Sequence, residues 1–501
     1  MSTFAAFGRL LGAGLTLVRY DALAPRELDA LYPPALRGLT RALRLLSGRE
    51  AKQGRPGERL AHALEHLGPV AIKLGQVLST RADIFGAVFA EDLSRLKDRL
   101  PPFPLEEARR EIALSLGQPA ETIFAELGAA VAAASLAQAH EARLHDGRRV
   151  AVKVLRPGID RRVAEDSEVL ALAARLIERF APALSRLEPS AAAATVIRAT
   201  QMELDLRLEA AGADELGEIM ARDGYMAAPK VVWLGVGKRV LTLEWAPGRP
   251  LSSPEALTLP GLDRKRLAEH LTQAFLAQAL DHGVFHADLH EGNLFVSAPA
   301  EIVAVDYGII GRLGAPERRY LAEILWGFLR RDYRRVAQVH FDAGYVPRHH
   351  SVEAFAQALR AVGEPVFGRN ASEVHMSRVL LQLFEITALY DMHLRPELVL
   401  LQKTMMTVEG VARRIDPEHD IWKASDPVVT RWITRELSPV SRVQRLISEA
   451  TEALRAITRI AEAQQKPVMV VQPEADHRRL IWFAIGAAVA GVAFVAAQIF
   501  S

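Results

Sequence analysis

The stretch FHADLHEGN, residues 285–293, sets two histidines, an aspartate, a glutamate and an asparagine within nine positions. On an extended strand His286, Asp288 and His290 would point to one face. Imidazole and carboxylate together are common ligands for a divalent transition metal. A phosphate-transfer loop would use the same stretch differently. An aspartate would orient or deprotonate an attacking hydroxyl or water, and an asparagine would offer an oxygen to Mg²⁺. Asp288 and Asn293 have that spacing, D-x-x-x-x-N, and Asp306 follows at the end of the apolar run EIVAVDYG. Upstream, VAVKVL alternates so that Val150, Val152 and Val154 face one side and Lys153 the other. A nucleoside triphosphate needs a cation on its α- and β-phosphates and hard oxygen ligands for its Mg²⁺. Lys153, Asn293 and Asp306 are of those types, and a His–Asp–His metal centre explains neither Asn293 nor Asp306.

These residues need elements to hold them. Up to Gly117 the sequence reads mainly as helices, with Gly68-Pro69 marking a stop and restart and LPPFP, residues 100–104, a breaker. The run from Ala129 to Gly158 reads as two β-segments about a turn at Asp146-Gly147, the second being RRVAVKVL. A long helical stretch follows from Asp160 to about Met220, broken near APALSRLEPS. It carries Glu203, Asp205 and Glu209. On one continuous helix Asp205 and Glu209 share a face and Glu203 points well round from both. KVVWLGVGKRVLTLEWAPG returns to strand pattern, and Arg264–Gly283 and Pro316 to about Ile415 read as helical. A small region with strands thus precedes a larger helical one, with the polar motifs at the join. The expected fold class is α+β, in two lobes.

Lysine in V-A-x-K, then D-x-x-x-x-N, then D-[FY]-G is the ordered signature of protein-kinase-like folds. Here a narrower resemblance enters. From about residue 50 to 410 the chain resembles the UbiB-type atypical kinases, also called the aarF-domain or ADCK family. GPVAIKLGQVLSTR holds Lys73-x-Gly75-Gln76, similar to the family's K-x-G-Q motif, and AAASLAQAH resembles its alanine-rich replacement for a glycine-rich loop. ELDLRLEA resembles its E-x-D motif at Glu203 and Asp205, and FHADLHEGN and VDYG resemble its catalytic and metal-binding loops.

The resemblance implies a kinase-like N-lobe at 119–246 and C-lobe at 247–420, after an amphipathic segment at 1–50 and a helical extension at 51–118. It implies ATP and Mg²⁺ as cofactors. Catalytic roles go to Asp288, Lys153 and Glu209, the last as the lysine's glutamate partner. Nucleotide contacts go to Ala132, Ala133, Ala134, Ser135, Lys153, Glu244 and Ala246, metal binding to Asn293 and Asp306, and regulation to Lys73, Gln76, Glu203 and Asp205. Alanine Cβ atoms restrict φ, so the loop is expected to sit over a nucleotide differently from a glycine loop. In the family this accompanies ATP hydrolysis or unorthodox transfer, with the K-x-G-Q helix across the place a peptide substrate would dock. The chain departs from the family pattern at Ala137-Gln138-Ala139 for Gly-Gln-Val, at Glu291 for proline and at Leu206 for an aromatic residue. Glu291 is expected to add negative charge near the metal and alter nucleotide preference.

Composition bounds the remainder. At 501 residues, half apolar and 24% charged, two or three domains are expected. A net charge of +2 with scattered basic residues argues against nucleic acid as a partner. The absence of cysteine excludes disulfides and thiolate metal sites. LIWFAIGAAVAGVAFVAA, Leu480–Ala497, carries no charge over eighteen residues and follows His477, Arg478 and Arg479. As a helix it would reach ~27 Å, close to a bilayer's hydrocarbon thickness. The expectation is a C-terminal transmembrane helix at 479–501, joined by a helical linker at 421–478. It would be a single-pass anchor in the cell (inner) membrane, with the catalytic domain cytoplasmic. LLGAGLTLV near the N-terminus reads as an amphipathic helix on the membrane or on the domain, with a signal peptide as the competing reading. The resemblance implies membrane lipids, polyprenylated quinone precursors and other quinone-biosynthesis enzymes as partners, in support of ubiquinone biosynthesis. Two other readings stay open: a small-molecule phosphotransferase, and a nucleotide-sensing scaffold for lipid-modifying enzymes.

Overall fold

The computed structural model describes residues 3–22, 47–48, 54–79, 86–94, 96, 101–180, 188–367, 386, 389–392 and 396–436. A first compact unit runs Met1–Thr434 and a second Arg435–Ser501, of which only the first two residues are described. The expected membrane span and most of the expected linker lie outside the described residues. Among those described, no helix is long and apolar enough to cross a membrane.

Among the described residues, helices α1 (Thr3–Arg19), α2 (Pro56–Leu67), α3 (Pro69–Ser79) and α4 (Ala87–Ser94) come first. Gly68, at φ +107, ends α2, and Pro69 opens α3 where no N–H partner is needed. Leu64 and Leu93 bury their side chains where α2, α3 and α4 meet. Helix α5 (Leu105–Leu116) and the single turn α6 (Ala120–Ile123) lead into β1 (Phe124–Ala133), β2 (Ala137–Leu144) and β3 (Arg149–Leu155). The turn between β2 and β3 falls at Asp146-Gly147 as expected, with Gly147 at φ +86.

Helices α7 (Ile159–Phe180), α8 (Pro189–Met202) and α9 (Leu206–Asp223) follow, then β4 (Val240–Glu244). The four strands form one antiparallel sheet in sequence order. Val150, Val152 and Val154 are fully buried from one side of it, against Ile112 of α5 and Phe124 and Leu127 of β1. Two expectations are corrected here. The stretch from Asp160 breaks a second time, at Glu203–Asp205, so Asp205 and Glu209 do not sit within one continuous helix that includes Glu203. Asp205 caps α9 by accepting from Arg207 N–H, the usual role of aspartate at that position. In KVVWLGVGKRVLTLEWAPG only Val240–Glu244 forms a strand, and Trp233–Gly235 is a 3₁₀ turn.

The second lobe holds β5 (Arg249–Pro250), α10 (Arg264–Ala277), β6 (Val284–His286), β7 (Leu294–Ser297), β8 (Glu301–Ala304) and β9 (Ile310–Arg312). Strands β5, β7 and β8 form one small antiparallel sheet and β6 and β9 another. Helices α11 (Ala315–Leu329), α12 (Tyr333–Asp342), α13 (Val352–Phe367), α14 (Pro396–Ile415) and α15 (Ile421–Glu436) complete the described chain. One apolar core runs from Val70 of α3 through Leu206 and Leu216 of α9 to Phe275, Leu280 and Trp432. The loops that carry the chemistry are therefore mounted on a continuous packed base.

Candidate active site

Strand β3 delivers Lys153. Its neighbours Val152 and Val154 are anchored in the core, so Lys153 must leave the opposite face. Its Nζ donates to both Glu209 oxygens, at 2.8 and 2.9 Å, and to Asp306 Oδ1 at 3.3 Å. Glu209 is buried one turn into α9, where Gly212 lets the helix press on Ile310 of β9. Burial pushes the Glu209 carboxyl up, against the pull of Lys153. Burial alone would lower the Lys153 ammonium, but Asp306 and Glu209 outweigh it and hold it above the ordinary lysine range. Lys153 in turn holds the half-exposed Asp306 carboxyl down to about 2. A permanent cation and a permanent anion thus face each other at the cleft.

Asp306 sits at φ +63, a backbone region that costs a side-chain-bearing residue energy and that recurs at functional loops. Tyr307 beside it is fully buried, its hydroxyl donating to Ala304 C=O at 2.8 Å. The catalytic-type loop is fixed to this strand end through backbone. His286 is fully buried. Its Nδ1 accepts from Asp288 N–H at 3.1 Å, so Nε2 carries the proton and donates to Val305 C=O at 3.2 Å. Burial lowers its pKa and keeps it neutral. With both ring nitrogens occupied, His286 cannot join Asp288 and His290 around a metal. Asn293 donates from Nδ2 to the Asp288 carbonyl at 3.0 Å and to Asp288 Oδ2 at 3.4 Å, leaving its Oδ1 as the atom that a cation would take. Thr404 of α14 supports the loop by donating to Ala287 C=O at 3.2 Å.

The alanine stretch is less of a loop than expected. Ala132 and Ala133 belong to β1, paired with Ala139 and Gln138 of β2, and only residues 134–136 form the turn. Ala134 N–H is spent on Ala137 C=O at 2.8 Å, so it cannot cradle a phosphate in this conformation. Ser135 is buried. Glu244, expected near the nucleotide, ends β4 with its carboxylate on Arg148 at 2.9 Å and its N–H on Lys230 C=O at 2.8 Å. Its side chain is thus engaged elsewhere. Ala246 is nearly buried two residues on.

The extension reaches the site. Lys73 of α3 forms an ion pair with Glu203 at the C-terminal end of α8. Burial raises the Glu203 carboxyl against the pull of Lys73, and Glu203 also feels Asp306 and Lys153. Asp205 turns instead to Arg207, at 2.6 Å. Gly75 has no room for a side chain, because a Cβ would meet Leu96 at 2.3 Å and Leu64 at 2.7 Å. Gln76 is half-buried on the same helix.

Three contributors were not singled out from sequence. Gln138 grips Phe103 main chain from both sides, accepting from its N–H at 2.8 Å and donating to its C=O at 3.1 Å. Gln138 Nε2 also donates to His140 Nε2 at 2.8 Å. Arg156 binds the carbonyls of Ala134 and Pro101, both at 2.9 Å. Together they buckle the alanine hairpin to residues 101–103, within the extension. A polar residue at an inward strand position was the available signal for Gln138. Arg414 of α14 forms an ion pair with Glu291, so the extra negative charge expected near the metal is neutralised. Nothing in the sequence near either residue marks that pairing.

The chain is similar to known proteins. The ABC1 atypical kinase-like domain matches residues 95–340, and the UbiB helical domain matches residues 359–420. A Marinobacter nauticus protein named "Probable protein kinase UbiB" is 40% identical over 395 residues, covering 78% of this chain and 72% of that one. A Pseudomonas paraeruginosa protein of the same name is 40% identical over 443 residues, covering 87% and 83%. A Xylella fastidiosa protein, again so named, is 38% identical over 405 residues, covering 79% and 73%. Among solved structures, the complex of Rv3197 and erythromycin from Mycobacterium tuberculosis superposes with a TM-score of 0.52 at 24% identity, over 72% of this chain and 93% of that one. That last likeness is one of fold.

Proposed function

Because this chain belongs to the UbiB family of atypical kinase-like proteins, we propose that it is a Mg²⁺-ATP-dependent atypical kinase or ATPase that supports ubiquinone biosynthesis at a membrane. The observation that carries the reading is the Lys153–Glu209–Asp306 cluster, set beside Asp288 and Asn293. The donor set fits the cofactors. A carboxylate that stays ionised and an amide oxygen suit a hard cation, and a lysine that stays protonated suits phosphate. Asp306 and Asn293 would hold Mg²⁺, which when bound neutralises charge on phosphate oxygens. Lys153, oriented by Glu209, binds and positions the phosphates. Asp288, its loop pinned by His286 and Asn293, orients the attacking hydroxyl or water and takes its proton. The Lys73–Glu203 pair supports a seated extension, and with it hydrolysis or unorthodox transfer in place of phosphorylation of a docked peptide.

The charge-free segment Leu480–Ala497 with its basic flank supports a single-pass anchor in the inner membrane with the catalytic part cytoplasmic. Such an anchor suits membrane lipids and polyprenylated quinone precursors as partners, alongside other enzymes of that biosynthesis. The test is Mg²⁺-ATP turnover by the full-length protein, with and without vesicles carrying a phenolic lipid. Turnover that rises with the vesicles and is lost in Asp288→Asn supports the reading. Failure of the wild type to bind Mg²⁺-ATP overturns it.

A further inference from the structure

The loop between α12 and α13 carries His349 and His350, and the turn after Tyr390 carries Asp391. Among the described residues, these form the one group of histidine and carboxylate side chains whose ligand atoms converge, all within 4.8 Å of one another. Asp391 Oδ2 lies 3.4 Å from His350 Nε2 and 3.8 Å from His349 Nε2. The two imidazole rings lie 4.1 Å apart, so both present Nε2 to the same carboxylate. Around a tetrahedral zinc with bonds of about 2.0–2.1 Å, neighbouring ligand atoms stand about 3.3 Å apart. Small side-chain rotations close the difference.

A plain ion pair does not account for His350. Its Nε2 is shielded from water yet forms no hydrogen bond among the described residues. A polar atom left in that state is costly, and a metal bond would satisfy it. The ring itself is fixed by Tyr390, 5.1 Å away, and Tyr390 packs edge-on against Phe355 at 4.9 Å. His349 and Asp391 are exposed, which leaves an open side for a hydrated ion to enter and for a water ligand to remain. Two imidazoles and one carboxylate offer too few oxygens for Ca²⁺ or Mg²⁺ and suit a borderline ion such as Zn²⁺.

We propose that His349, His350 and Asp391 form a zinc-class site, with water as fourth ligand. The two histidines fall between the stretches matching the kinase-like domain, 95–340, and the helical domain, 359–420. The ion would therefore pin the joint between them, remote in function from the Lys153 cluster.

The test uses the full-length, tag-free wild type, His349→Ala and Asp391→Asn. Both positions are exposed, and asparagine tolerates the φ of +49 that Asp391 adopts, so the variants keep the fold. Zn²⁺ is titrated against a chromophoric chelator, and Co²⁺ is added separately to read its visible bands. The wild type should take up one tight equivalent and show the intense bands of tetrahedral Co²⁺. Each variant should weaken that equivalent by at least about tenfold, as losing even a supporting residue does, and lose the bands. Equal Zn²⁺ affinity in all three proteins, or no tight equivalent in the wild type, overturns the site.

Discussion

Asp306 combines three properties that single residues rarely share: a left-handed backbone, a carboxyl held down to about 2, and an ion pair to the lysine of another lobe. Asp306→Asn keeps the shape and the tolerance of that backbone but removes the charge. It should weaken Mg²⁺-nucleotide affinity by ~100-fold or more, the loss of several kcal/mol of charge stabilisation. Calorimetric titration checks it, and unchanged affinity would remove Asp306 from the metal. Histidine supplies a pH test elsewhere. His340 donates Nδ1–H to Val336 C=O at 2.8 Å and packs on Tyr345 and Phe355, and burial lowers its pKa from 6.5 to about 4. Between those values the unfolded chain binds a proton that the folded chain refuses. Its contribution is therefore intact above pH 6.5 and is lost as pH falls toward 4, on the order of 3 kcal/mol. His340→Leu should flatten the pH slope of urea unfolding in that window, whatever it does to the absolute stability. At this scale much was legible in the sequence. The motif spacing picked out Lys153, Glu209 and Asp306, which the fold joins through one lysine, and Asp288 with Asn293, which it sets side by side. Gln138, Arg156 and Arg414 act across long sequence separations, and no local pattern announces a partner that lies far along the chain.

Lys73 of helix α3 pairs with Glu203 at the end of α8, with both side chains largely withdrawn from water. Removing one partner strands the other. Lys73→Ala or Glu203→Ala should therefore cost about 1–3 kcal/mol. The exchanged pair Lys73→Glu with Glu203→Lys should recover most of it. Thermal unfolding of the three proteins decides, and a double variant no better than the singles would mean the contact is incidental. Elements differ in how plainly the sequence marks them. The β2–β3 hairpin was plain because Asp146-Gly147 punctuates an alternating run. The break at Glu203–Asp205 was not, because ELDL carries neither glycine nor proline, and an aspartate cap looks the same as an aspartate within a helix. That break separates Glu203, at the end of α8, from Asp205 and Glu209 on α9. Alanines in β1 misled for the opposite reason: nothing in AAASLA separates strand from turn, and pairing with β2 decided it.

For the molecule as a whole, the two-lobed layout followed from where the strand signals stop and the helical ones resume, and the α+β kinase-like fold is what the chain adopts. How it meets a membrane is a question for two candidate surfaces. A protein ending before Arg478 should stay in the supernatant after a high-salt wash, since Leu480–Ala497 is gone. If it still pellets, attention moves to α1, which exposes Phe7, Leu11 and Leu15 along one stripe. That same helix is tied down by Arg9 to Glu165 and Asp166 of α7. This has a consequence for the order in which the chain is made. Synthesis delivers the extension first, and Glu165, Asp166 and Glu203 emerge many residues later. At roughly 5–20 residues per second, Lys73 waits several seconds or longer for its partner. Over that interval Val70 and Ile72, buried in the finished protein, have nothing of the N-lobe to cover them. That apolar face stays bare until the roughly seventy residues between the alanine hairpin and Glu203 have been made.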